Sequence, residues 1–159
     1  MGVITYDFEV TSPISPARLF KALVLEGDKV YPRAAPHAIK SVELQEDGKL
    51  GSIVKINFVE GLPFQYVKHK IEGHDKDNFS YNYSLIEGGP LGDKIEKISY
   101  ENKFVAAADG ESVCKSLMKF YTVGDYVITE DEIKAHIGRT EGIYKAIETY
   151  LLANPHVCN

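Results

Sequence analysis

Residues 129–153 read TEDEIKAHIGRTEGIYKAIETYLLA, and this stretch decides the fold. Thr129 followed three positions later by Glu132 is a capping box. The threonine hydroxyl accepts from the backbone N–H of Glu132, whose side chain reaches back to the N–H of Thr129. Glu130, Asp131 and Glu132 stand where the positive end of a helix dipole favours acids. From there Ile133, Ile137, Tyr144, Ile147 and Leu151 recur at helical spacing. The helix is expected to end at Leu152 or Ala153, ahead of Asn154-Pro155. A long helix with one apolar stripe must bury that stripe against a large partner.

The preceding chain supplies that partner. Ile4, Tyr6, Phe8 and Val10 alternate with Thr5, Asp7 and Glu9, the period of a half-buried strand. Ser15 is placed to cap a helix that opens on Pro16 and carries Leu19, Phe20 and Leu23. A second short helix is expected from Asp28, stopping before Pro36. Six strands then follow, divided by Gly48 to Gly51, Gly61-Leu62-Pro63, Asp75 to Asn78, Gly88 to Gly92 and Asp109-Gly110. Strands so spaced pair with their neighbours as an antiparallel meander. Such a sheet, strongly curved, wraps the terminal helix and covers its stripe.

The chain has 159 residues, the size of one domain, so residues 1–159 are read as a single unit. Its net charge of -5 argues against a nucleic-acid partner and against attraction to anionic lipid. No basic leader precedes an apolar run, and no apolar stretch approaches the ~20 residues of a membrane span. A cytoplasmic protein is expected, with Cys114 and Cys158 as reduced thiols. His37, His69, His74, His136 and His156 form no metal-ligand spacing, so neither metal nor cofactor is expected.

Read at period two, the strands present an inner face of Val54, Ile56 and Phe58; Phe64, Tyr66 and Lys68; Phe79, Tyr81, Tyr83 and Leu85; Ile98, Tyr100 and Phe104; then Cys114, Ser116, Met118 and Phe120. A buried phenol needs a hydrogen-bond partner. Several tyrosines on one apolar face fit either a wet sheet edge or a ligand cavity. The helix adds Ala135, His136, Arg139, Thr140 and Ile143 beside its stripe, more polar than a packed core. That favours a cavity. Its lining is extended to Tyr6 on the first strand, Leu23 on the first helix and Ile39. The Leu62-Pro63 and Gly89–Gly92 loops, with the start of the terminal helix, are expected to frame its mouth.

These residues resemble the plant pathogenesis-related class 10 proteins of the Bet v 1-like family, most closely its rose-family fruit allergens. The resemblance spans the chain. It is carried by Met1-Gly2-Val3 with Tyr6, by residues 16–22, by Ala35-Pro36, by residues 81–90 and 93–99, and by Glu148 to Leu152. It implies an α+β helix-grip fold: a seven-stranded antiparallel sheet curved round the C-terminal helix, with two short helices forming a V beneath. It also implies a large apolar cavity for flavonoids, phytohormones, sterols or fatty acids, and a role in defence and secondary metabolism. The glycine-rich family loop is shortened here, at Gln45 to Ser52, to two glycines flanked by Glu46 and Asp47. An anion cradle is not expected from it. Val54 and Ile137 stand where relatives often carry basic residues, although Lys55 remains.

The resemblance also carries two catalytic alternatives. One is ribonuclease chemistry at Glu96, Glu148 and Tyr150; the other is amine–aldehyde condensation through a lysine and a tyrosine, here Lys68 with Tyr83 or Tyr100. Acid–base cleavage of RNA needs two proton-transferring groups that converge. The spacing brings no such pair together, and a lysine on an apolar sheet ordinarily snorkels. No residue is therefore assigned a catalytic role. The expected partner is a small amphipathic, flavonoid-like metabolite, and the expected state is a monomer, with a dimer as the alternative.

Overall fold

The computed structural model describes residues 2–45 and 52–159. The shortened glycine loop lies almost wholly outside the described residues. Strand β1 (Gly2–Ser12) leads into α1 (Pro16–Phe20), a π-helical turn (Lys21–Leu25) and α2 (Gly27–Ala34). Six strands follow: β2 (Ile39–Gln45), β3 (Ile53–Phe58), β4 (Tyr66–Asp75), β5 (Ser80–Gly88), β6 (Ile95–Ala106) and β7 (Ser112–Thr122). Helix α3 (Glu130–Ala153) ends the fold. The strands form one antiparallel sheet in the order β1-β7-β6-β5-β4-β3-β2, a meander with the first strand added beside the last. This is the expected Bet v 1-like, α+β helix-grip architecture.

The local signals behave as their chemistry dictates. Ser15 Oγ accepts from the Arg18 N–H with Pro16 at the first helical position. Both arms of the Thr129–Glu132 capping box are made. The five stripe residues of α3 are buried. Ile133 and Ile137 pack against a core of Ile56, Val67, Ile98, Met118 and Phe120. Tyr144, Ile147 and Leu151 pack against Leu19, Phe20 and Phe104. Arg18 closes the far end of the helix, donating to the carbonyls of Leu151, Asn154 and Val157 at 2.8–3.0 Å. A guanidinium there satisfies carbonyls that the helix leaves without partners and opposes its dipole.

Register shifts break the β2–β3, β4–β5 and β6–β7 ladders locally, and such bulges bend a sheet. One lies at Ile95/Lys97, and it throws Glu96 into solvent, not inward with Ile98 and Tyr100 as simple alternation suggests. Gly88 has φ of +80°, and a Cβ there would meet the Tyr66 carbonyl oxygen at 2.4 Å, so that corner requires glycine.

Strand β4 runs in the opposite phase to the sequence reading. Val54 pairs with His69 and Ile56 with Val67, so Val67, His69 and Ile71 face inward. Tyr66 and Lys68 lie on the outer face, opposite Asn57 and Lys55. Their placement in the cavity wall is thus corrected. Phe64 precedes the strand and does turn toward the helix, under Arg139. The error came from counting alternation through the turn from Phe64, whereas the strand begins after it.

Candidate functional site

Among the described residues, two chambers between the sheet and the helices carry candidate site residues. The first, about 260 Å³, sits between the α1–α2 elbow and the inner face of β2 to β5. Its sheet wall is Val42, Val54, Ile56, His69, Ile71, Tyr81 and Tyr83. Its helical wall is Leu23, Val24 and Tyr31, with Gly27 and Asp28. Leu25, Leu44 and His74 are exposed at its edge, which places the mouth beside the elbow. The second chamber, about 150 Å³, lies between the N-terminal half of α3 and the start of β6. Pro90, Ile95, Ile98, Phe120 and Ile128 form its apolar wall, and Glu132, Ala135, His136 and Arg139 its helical wall.

One side chain links their walls. Tyr100 lines neither chamber. Its ring stacks on Tyr83 of the first chamber, with centroids 4.4 Å apart and planes 17° apart. Its hydroxyl is hydrogen-bonded to Nε2 of His136, which lines the second. Sheet and helix are thereby joined through the middle of the interior. The same bond engages the Tyr100 hydroxyl, leaving it no role as a free ligand contact.

The sheet wall of the first chamber is rich in aromatic rings. Tyr81 and Tyr83 lie 5.1 Å apart by centroid, and the His69 ring sits 4.5 Å from Tyr83. Burial, then the charge of a protonated His136, pushes the His69 pKa down to about 3. Burial pushes the Tyr81 phenol up to about 12 and Tyr83 well above its ordinary value. All three rings are uncharged at neutral pH. Among the described residues, neither the Tyr81 nor the Tyr83 hydroxyl has a hydrogen-bond partner, whereas Tyr31 donates to the Leu23 carbonyl. Two phenols with unused donors therefore face a cavity lined by aliphatic side chains, the His69 ring and, at its edges, Asp28 and His74.

The expected lining divides accordingly. Leu23, Val54, Ile56, Tyr81 and Tyr83 line the first chamber, and Ile98, Ala135, His136 and Arg139 the second. Ile39 and Leu85 are packed core, as is Tyr100. Tyr6, Phe58 and Ile143 pack against that core without lining either space. Thr140 turns its hydroxyl back to the His136 carbonyl at 3.1 Å. His69, Ile71, Tyr31 and Val42 were missed. For β4 a signal existed: in Val67-Lys68-His69-Lys70-Ile71-Glu72 the charged residues mark the outer face. The expected mouth is also revised. Pro90 and the start of α3 border the second chamber, and Leu62 and Pro63 border neither.

The proposed catalytic constellations do not assemble. Lys68 Nζ pairs with Glu87 at 3.2 Å on the outer face, where Tyr66 also donates to Glu87. Glu148 pairs with Lys145 at 3.4 Å, and Lys145 reaches the Thr11 carbonyl, tying α3 to β1. Thr11 is in register with Val113 and Val113 with Val105, at the end of β6 remote from Glu96. Nine residues of strand separate Val105 from Glu96, roughly 30 Å. Both thiols are free and buried, and burial pushes Cys114 up to about 12. Among the described residues no group of three His, Cys, Asp or Glu side chains is placed to hold a metal ion. No described helix is long and apolar enough to cross a membrane.

Residues 1–154 match the family described as Pathogenesis-related protein Bet v 1 family. The chain is 54% identical over 157 residues to the major strawberry allergen Fra a 1.04 of Fragaria ananassa, covering 98% of each. The crystal structure of Ara h 8.0201 superposes with a TM-score of 0.85 at 39% identity, over 96% of this chain and all of that one. Norcoclaurine synthase from Thalictrum flavum superposes with a TM-score of 0.78 at 22% identity, over 95% of this chain and 87% of that one, a likeness of fold alone.

Proposed function

The chain belongs to the Bet v 1 family of pathogenesis-related proteins, and from that premise we propose that it is a cytoplasmic binding protein. It holds a flat phenolic metabolite, flavonoid-like, in the chamber beneath the α1–α2 elbow and acts as carrier or regulator in secondary metabolism and defence. The observation that carries this reading is the pair of unpartnered hydroxyls on Tyr81 and Tyr83 in the aromatic sheet wall of that chamber. Ring faces offer stacking and edge contacts to a planar guest. Ring hydroxyls of that guest supply the partners the two phenols lack. A saturated fatty acid leaves those phenols unpaired, at about 1–3 kcal/mol each where water does not fill in.

A second class, catalysis, finds less support. Condensation through Lys68 lacks a lysine inside the chamber, and ribonuclease chemistry lacks a converging pair of acids. The test is calorimetric titration with a flavan-3-ol, a flavonol and a long-chain fatty acid. Tighter binding of the two phenolics supports phenolic recognition; tighter binding of the fatty acid rejects it.

A further inference from the structure

The rim of the second chamber carries an exposed guanidinium with no acid paired to it. Arg139 makes neither a hydrogen bond nor an ion pair among the described residues; its guanidinium carbon lies 5.1 Å from the centre of the Phe64 ring, and its charge is felt at Tyr100 and His136. Glu132, the acid in the same wall, is already engaged. It accepts from the Thr129 N–H and hydroxyl and from Tyr126, and Lys94 lies close enough to lower its pKa. Glu132 and Arg139 stand seven positions apart, two turns along one helix face. The chamber therefore has one end with its charge satisfied and one without.

His136 adds a second unsatisfied group at that end. It is 8% exposed, lines the chamber, and its Nδ1 has no hydrogen-bond partner. The Tyr100 hydroxyl is hydrogen-bonded to Nε2 and can donate to it, and burial holds the imidazole neutral, with its pKa pushed down to about 4. With Nε2 accepting, the ring proton lies on Nδ1, a buried donor without an acceptor. Arg139 and His136 are i, i+3 neighbours on one helix face. A guanidinium fork and an imidazole N–H side by side are complementary to a carboxylate.

The remaining wall limits the rest of the guest. Ile95, Ile98, Phe120, Ile128 and Pro90 are apolar. A cavity of about 150 Å³ lined by aliphatic and aromatic side chains accepts one benzene-sized ring. We propose that the second chamber is a separate site for a monocyclic aromatic carboxylate. The ring lies against Ile98 and Phe120, and the carboxylate is anchored by Arg139 at the rim. His136 Nδ1, closed off from solvent in the empty chamber, becomes the second contact as its ring shifts toward the anion. This site shares no lining residue with the first chamber, and the proposal does not rest on the phenolic reading.

Benzoate and methyl benzoate, titrated into the isotopically labelled protein and followed by NMR, decide this. Benzoate is expected to shift signals of Arg139, His136, Ile98 and Phe120 and to leave His69 and Tyr81 unmoved. The neutral ester is expected to bind at least about tenfold more weakly, the loss of a charge-assisted pair. Arg139→Gln removes the preference for the acid and Arg139→Lys restores part of it. Arg139 has no hydrogen bond or ion pair to lose, only its contact with the Phe64 ring, and unfolding midpoints of both variants check that the fold is intact. Equal affinity for acid and ester, unchanged benzoate binding in Arg139→Gln, or shifts confined to His69, Tyr81 and Tyr83 each overturn the proposal. A flavan-3-ol added to the same sample reads the first chamber separately. Benzoate binding without flavan-3-ol binding removes the phenolic reading alone; the reverse removes the carboxylate site alone.

Discussion

Tyr100 and His136 are hydrogen-bonded across the interior, one from the middle of β6 and the other from α3. Through Tyr100, which also stacks on Tyr83, that bond links a wall residue of the first chamber to one of the second. Tyr100→Phe leaves both imidazole nitrogens buried without partners. Unsatisfied buried groups cost about 1–3 kcal/mol. Urea unfolding is expected to show a loss of that size, and an unchanged midpoint contradicts the structural role given to the bond.

Tyr83 and Tyr81 separate recognition from packing. The Tyr83 hydroxyl makes no protein hydrogen bond among the described residues, so Tyr83→Phe is expected to leave stability nearly unchanged. It is expected to weaken a catechin-like ligand by about 0.5–1.5 kcal/mol, one net hydrogen bond. Tyr81→Ala also removes a ring that packs on Tyr83 and against the lower core, so affinity and stability should both fall. Calorimetry and unfolding on the same two variants check the contrast.

Lys68 lies on the outer face with Glu87, half in solvent. An exposed ion pair contributes about 0–1 kcal/mol. Lys68→Ala should therefore change neither ligand affinity nor stability by more than that. A large loss of binding in this variant returns the lysine to the cavity.

The two interior histidines give the protein an acid dependence. His69 and His136 are neutral when folded, with pKa values of about 3 and about 4, against an ordinary 6.5. Below pH 6.5 the unfolded chain binds more protons than the folded one, so stability falls with pH. Their contribution is fully present above pH 6.5 and is lost as the pH drops toward those folded values. Unfolding midpoints measured between pH 7.5 and 5, above the range of the carboxylates, are expected to decline steadily. A flat profile contradicts neutral burial of these rings.

The order of elements was legible because each carries a local signal: the capping box at Thr129, Ser15-Pro16, the period-two run from Ile4 to Val10. The cavity was less so, for two physical reasons. A one-residue error of phase exchanges the faces of a strand, and the turn before β4 hid where counting should begin. Bulges do the same within a strand, as at Glu96. Nothing local reveals which buried tyrosine meets a partner, because Tyr100 and His136 come together only through the packing of α3 on the sheet.

Ligand-linked protection locates the mouth. Backbone amides of residues 21–31, whose segment roofs the first chamber, should slow in hydrogen exchange at saturating flavan-3-ol. Residues 61–63, which border neither chamber, should not. Protection confined to the latter moves the entrance back to those loops.

The central claim is that a phenolic guest lies beneath the elbow against unpartnered phenols. A crystal structure of the complex with a flavan-3-ol tests it most directly. The account predicts the guest's ring packed on Tyr81, Tyr83 and His69, with a guest hydroxyl hydrogen-bonded to Tyr83 Oη and the Tyr100–His136 bond intact. A guest on the outer face, or inside with the Tyr81 and Tyr83 hydroxyls both still unpartnered, contradicts it.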